Sequence, residues 1–134
     1  MSNELRVMSN EEKKKIVAFT DLNAWKEAHK LALLVYKLTD SFPNKEQYSL
    51  TSQMRRAGVS ITSNIAEGFS RFTASDRVHF YVMAQGSLTE LQSQTIIARD
   101  LGYIELVKYE ESANLSLVVH KLLTGLIKAT RIRK

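Results

Sequence analysis

Leu-Thr-Ser-Gln-Met-Arg-Arg-Ala over residues 50–57, followed by Ser-Ile-Thr-Ser-Asn-Ile-Ala-Glu-Gly over residues 60–68, decides the fold. Leu50, Met54, Ala57, Ile61 and Ile65 recur at steps of three and four residues, which places them on one face of a helix. Gln53, Arg56, Ser60, Asn64 (or Ser63) and Glu67 form a second, polar row beside it. A solvent-facing helix of no special purpose carries scattered Lys and Glu there. Amide, guanidinium, hydroxyl and carboxylate groups in file suggest a hydrogen-bonding row. Its partner is either another helix or a ligand.

Helical spacing extends outward in both directions. Upstream, Leu22, Trp25, His29 (or Ala28), Ala32, Val35 (or Tyr36) and Leu38 predict a helix from about Asp21 to Thr39. It stops before Pro43, whose ring disfavours helical angles in the residue preceding it. The quoted stretch is then a helix from about Ser49 to Phe69, with Ser49 as its N-cap and Gly68 near its stop. Thr73-Ala-Ser-Asp76 resembles a capping box. It opens a third helix reaching about Asp100, with Phe80, Ala84, Ser87, Leu88, Leu91, Thr95 and Ala98 on its inner face. Gly86 and Ser87 suggest a close approach between helices. After a Gly102 stop, a fourth helix from about Ile104 to Thr130 presents Val107, Leu115, Val118, Leu122 and Leu126. No stretch alternates as a strand does. Four helices with short links pack most simply as an antiparallel up-down-up-down bundle.

Composition agrees. The chain has 134 residues, enough for one domain with a real core, and only one Pro and five Gly to make turns. Residues 19–134 are read as the bundle. Residues 1–18 are read as a flexible leader, carrying the charge run Glu11, Glu12, Lys13, Lys14 and Lys15. With no Cys there is no disulfide or thiolate chemistry. No apolar run approaches the roughly 20 residues of a membrane span, and the first residues lack a signal-peptide core. The expected location is the cytoplasm, without a membrane association.

Charge is unevenly spread. The net charge is +5, from 19 cations and 14 anions. Lys121, Lys128, Arg131, Arg133 and Lys134 follow the last acid, Glu111; the other 14 cations balance the 14 anions. A basic end can meet phosphates, or it can simply suit the C-terminal pole of a helix. Arg55 and Arg71 are secondary candidates for nucleic-acid contact. Arg71 and Phe72 place a cation and an aromatic on a loop, although a loop anchored by a buried Phe is the simpler reading.

Catalytic and metal motifs are missing. Di-iron bundles use Glu-x-x-His pairs, but the residues three before His29, His79 and His120 are Lys26, Asp76 and Leu117. No phosphate loop or nucleophile elbow is present. The expectation is a protein with no catalytic residue, metal or cofactor. Glu90 and Gln94 on the third helix are then the natural counterparts of Arg55 or Arg56, because an unpaired buried charge is costly. Gln53, Arg56, Ser60, Asn64, Glu67, Glu90 and Gln94 are expected to form one structural network.

Several blocks in order resemble a known family. They are Asp-Leu-x-x-Trp-x-x-Ala-His over 21–29, Phe-Pro-x-x-Glu over 42–46, the two blocks quoted first, and Gly-Ser-Leu-x-Glu-Leu over 86–91. This pattern is similar to the proteins encoded in intervening sequences of bacterial 23S ribosomal RNA genes, also called the S23 ribosomal protein family. Thr62 stands where Pro is expected and Gly58 where Ala is usual. The resemblance implies a four-helix bundle assembling as a homopentamer. It also implies kinship with accessory proteins of diversity-generating retroelements, which bind nucleic acid and a reverse transcriptase. It brings no catalytic residue. Two functions remain open: nucleic-acid binding through phosphates, with RNA the expected ligand, or a protein-interaction scaffold with no nucleic-acid role.

Overall fold

The computed structural model describes residues 15–133, the side chain of Arg133 excepted. Most of the expected leader, residues 1–14, therefore lies outside the described residues, as does Lys134. Four α-helices follow one another: α1 (Asn23–Thr39), α2 (Leu50–Phe69), α3 (Ala74–Asp100) and α4 (Leu106–Arg133). No strand occurs among the described residues. Two short 3-10 turns, Phe19–Asp21 and Asn44–Glu46, precede α1 and α2.

The first turn sets the start of α1 slightly later than expected. The Asp21 carboxylate accepts the backbone N–H groups of Val17 and Ala18, both at 3.0 Å. A short acidic side chain bonded in this way competes with helix and favours a turn. At α2, Ser49 does not cap with its hydroxyl, which donates instead to Glu46 Oε1 at 2.6 Å. A carboxylate is the stronger acceptor. Thr73 Oγ1 accepts from the Asp76 backbone N–H at 3.1 Å, so the side-chain cap of α3 forms. Gly102, with φ of 80°, ends α3 as a left-handed residue. Its N–H reaches Arg99 O and that of Tyr103 reaches Ala98 O, which together satisfy two terminal carbonyls.

Each helix packs on two neighbours: α1 on α2 and α4, and α3 on α2 and α4. Leu31, Val35, Met54, Ile61, Ile65, Tyr81, Leu88, Leu91, Val119 and Leu123 meet in the centre, all essentially inaccessible. Burying one such aliphatic or aromatic side chain stabilises by about 1.5–3 kcal/mol. At α1 and α2, Arg55 bonds Thr39 while Gly58 lies against Ala32 and Val35. At α2 and α3, Ser60 bonds Ser87 while Gly68 lies against Tyr81.

Gly68 lies near the stop of α2 at Phe69, as expected, and is also a contact point, buried under the Tyr81 ring. Three packing expectations change. On α3 it is Tyr81, 1% exposed, that fills the core, and Phe80 is only half-buried. Gly86 has no atom within 4 Å of where a Cβ would stand, so it marks no close approach. On α4 the buried stripe is Ser112, Ser116, Val119, Leu123 and Ile127, whereas Val107 and Val118 are exposed. The helix is turned by about 100°, one residue, from the expected face. It carries aliphatics on every side, so spacing alone did not reveal its inner stripe. Ser112 tolerates burial because its hydroxyl donates to Tyr109 O at 2.8 Å.

Candidate nucleic-acid interface

The loop between α2 and α3 is short and well braced. The Arg71 N–H donates to Gly68 O at 3.1 Å, and the Ser70 hydroxyl donates to Glu67 O at 2.6 Å. From inside α3, Arg77 Nε donates to Arg71 O at 2.7 Å, a bond the sequence did not suggest. The Arg71 guanidinium lies 4.6 Å over the Phe80 ring and 3.2 Å from Glu67 Oε1, and that of Arg77 lies 5.7 Å over Phe69. Phe72 takes no part in these contacts. Its side chain is 101% exposed, which overturns the expectation of a loop anchored by a buried Phe.

Beside this loop lies a cleft of about 500 Å³. Ile16 and Leu22 before α1, Phe69 at the end of α2, Phe72 and Arg77 around the start of α3, and Thr130 near the end of α4 all border it. Three chain regions distant in sequence therefore meet at one end of the molecule. Arg131 borders a neighbouring concavity with Ala74, Ser75 and Val78. Arg71 and Arg77 are thus brought to the same end as Lys128 and Arg131, the basic tail. Arg131 and Lys128 are exposed and make no ion pair among the described residues. Lys121 is also exposed, two turns back along α4, while the Arg133 side chain and Lys134 lie outside the described residues. Around the opposite end, near the α1–α2 and α3–α4 links, Asp40, Glu46, Asp100, Glu105, Glu110 and Glu111 are balanced by Lys37, Lys45, Arg55, Arg56, Arg99 and Lys108. At the first end Glu67 and Asp76 stand among the cations.

Arg55 does not belong to the basic end. Its Nε donates to Thr39 Oγ1 at 2.9 Å, and its guanidinium lies 4.7 Å over Tyr36. It clips α2 to the last turn of α1.

The polar row of α2 resolves into local pieces. Ser60 and Ser87 share a hydroxyl bond of 2.9 Å, and Asn64 Nδ2 donates to Ser60 O and Oγ at 2.9 and 3.1 Å. Glu67 turns to Arg71 and Ser70. The Gln53 and Arg56 side chains are exposed and make no hydrogen bond or ion pair among the described residues. Glu90 is exposed and accepts only from Gln94 Nε2, at 3.3 Å, on its own helix. The expected pairing of Glu90 with Arg55 or Arg56 is not made, since Arg55 leans to α1 and Arg56 points outward. Gln94 is buried, and its Oε1 has no partner among the described residues.

A second polar contact escaped the sequence. The Tyr103 hydroxyl donates to Glu46 Oε2 at 2.8 Å, tying the α3–α4 link to the α1–α2 link. The Ser49 hydroxyl, and then Tyr103, hold the Glu46 carboxyl below its ordinary value. The same bond to Glu46 raises the Tyr103 phenol. Nothing in local spacing reveals a bond between residues so far apart in the chain.

His29 stacks on Trp25 at 4.8 Å and His79 meets Phe80 edge-on at 5.4 Å. Among the described residues no three His, Asp or Glu side chains converge as a metal site requires. No described helix is long and apolar enough to cross a membrane.

The fold and this end of it define an all-helical bundle protein with a basic, aromatic-bearing rim. The model of the 23S rRNA-intervening sequence protein family matches residues 20–125, and the chain belongs to that family. In structure it is similar to a protein of unknown function from the S23 ribosomal protein family of Bacteroides thetaiotaomicron, solved at 1.70 Å. The TM-score is 0.72 at 24% identity, over 78% of this chain and 95% of that one. No curated protein matches the sequence.

Proposed function

We propose that this chain is a non-enzymatic, cytoplasmic bundle protein that assembles with copies of itself and binds RNA through phosphate contacts at its basic end. The carrying observation is the gathering of Arg71, Arg77, Lys128 and Arg131 around one end of the molecule. Clustered cations release counterions from a phosphate backbone and need no base-specific contact. The family's tie to 23S rRNA intervening sequences favours RNA over DNA.

The helices alternate up and down. Support comes from the order of contacts: Thr39 meets Arg55 where Ala32 meets Gly58, and Ser60 meets Ser87 where Gly68 meets Tyr81. Self-assembly is supported by aliphatic side chains left outside on α3 and α4, among them Met83, Ile97, Val107, Leu117 and Val118; a pentamer is favoured by the family resemblance alone. Copies in a ring would repeat the basic end and add avidity.

Binding of a structured RNA, measured at about 50 and about 200 mM salt, tests the reading. Four phosphate contacts predict a loss of about a hundredfold between the two. Absence of binding at the lower salt would refute it. The same exposed aliphatics also suit a scaffold for a protein partner. In that case, a partner set pulled down from lysate survives nuclease treatment.

A further inference from the structure

We propose that Phe72 is a stacking platform for an unpaired base, so that the nucleic acid held at the basic end is single-stranded there. This rests on the phosphate-binding reading above and names the class of ligand. The Phe72 ring is 101% exposed, so it serves no packing purpose in the described chain. The backbone carrying it is held firmly by the Arg71–Gly68 bond, the Arg77–Arg71 bond and the Thr73 cap. A braced loop displaying a bare aromatic ring is arranged in advance for a flat partner.

The surroundings specify which flat partner. Phe72 borders the cleft of about 500 Å³ together with Arg77, a size range typical of sites for small organic groups. Exposed cations Lys128 and Arg131 stand on the end of α4 at the same end of the molecule. Phosphates beside a stacked ring are the signature of a single strand; in a duplex the base faces are already stacked and closed to a side chain. Tyr48 supplies an internal contrast. It is 89% exposed in the α1–α2 link, at the end where acids and bases balance, so it has the ring without an excess of cations around it.

The test measures affinity of the full chain for a uridine oligonucleotide about 20 nucleotides long and for a blunt RNA duplex of matched length. Phe72→Ala should weaken binding of the oligonucleotide roughly tenfold, leave the duplex unaffected and keep the salt slope. Phe72→Trp should restore the affinity, and Tyr48→Ala should match the parent chain. Arg131→Ala should weaken both probes and lower the salt slope. Equal oligonucleotide binding by Phe72→Ala and the parent chain overturns the stacking role and leaves the phosphate reading standing. Failure of the parent chain to bind either probe overturns both. A change of mass in Phe72→Ala by light scattering assigns the ring to a contact between copies, which also overturns the proposal.

Discussion

Gly68 and Gly58 both lie in α2, both are buried, and replacing each by Ala should have opposite effects. Neither has a positive φ, so backbone strain plays no part. A Cβ on Gly68 would stand 2.7 and 2.9 Å from Tyr81 ring carbons and 3.1 Å from Arg77 O, inside the 3.4 Å where ordinary contact begins. Tyr81 is locked in the core at 1% exposure and Arg77 O is backbone, so neither yields easily. Overpacking of this kind costs about 1–3 kcal/mol. Ala regains at most about 1 kcal/mol of helix propensity, less in a last turn. Gly68→Ala should therefore destabilise by about 1–2 kcal/mol. A Cβ on Gly58 meets Ala32 Cα at 3.5 Å and Val35 at 3.8 Å, which is ordinary contact. Gly58→Ala should stabilise by about 0.5–1 kcal/mol. The two variants should differ by about 2 kcal/mol, or several degrees in Tm. Urea unfolding followed by far-ultraviolet circular dichroism, at one protein concentration, measures both. Gly68→Ala at or above the stability of the parent chain, or Gly58→Ala below it, would refute the reasoning.

Arg55→Ala should lose about 1 kcal/mol, through its bond to Thr39 and its contact with Tyr36, while Arg56→Ala should change stability by less than about 0.5 kcal/mol. Equal urea midpoints for the two variants would contradict the assignment of Arg55 as the helix clip. Glu46 titrates below its ordinary value of 4.5, so its bonds stabilise the fold fully above that pH and cease to as pH falls through the lowered value. Tyr103 is raised above 10.0, so its contribution is complete below that pH and is lost as pH rises through the raised value. Tyr103→Phe should accordingly be less stable than the parent chain at neutral pH, with the gap closing in acid; a gap independent of pH would contradict the latch. Leu117→Glu, on the outer side of α4, should keep its helical spectrum and lower the mass seen by light scattering. An unchanged mass would remove that face from any contact between copies.

Much of the fold was legible in local spacing. Pro43, the Thr73 cap and Gly102 mark helix boundaries because each acts on the backbone within a few residues. The α2 stripe of Met54, Ala57, Ile61 and Ile65 is buried as its period requires, since the remaining positions are polar enough to leave a single apolar face. The basic end of α4 was visible as a run of cations. Its companions Arg71 and Arg77 join it only when the bundle brings the α2–α3 loop beside the last turns of α4.

Azimuth and long-range partnership belong to the tertiary structure. Periodicity states that α4 is a helix, but with aliphatics on all sides it cannot say that Ser116 faces in and Val118 out; packing against α1 and α3 decides. Arg55 and Arg56 are neighbours of the same chemistry, and only the position of Thr39 separates the clip from the exposed side chain. Phe72 reads as core by composition, yet it stands bare at the edge of the cleft it shares with Arg77. Spacing along a chain encodes period and charge; which side chains meet depends on the helices' rotation and on what already occupies the space between them.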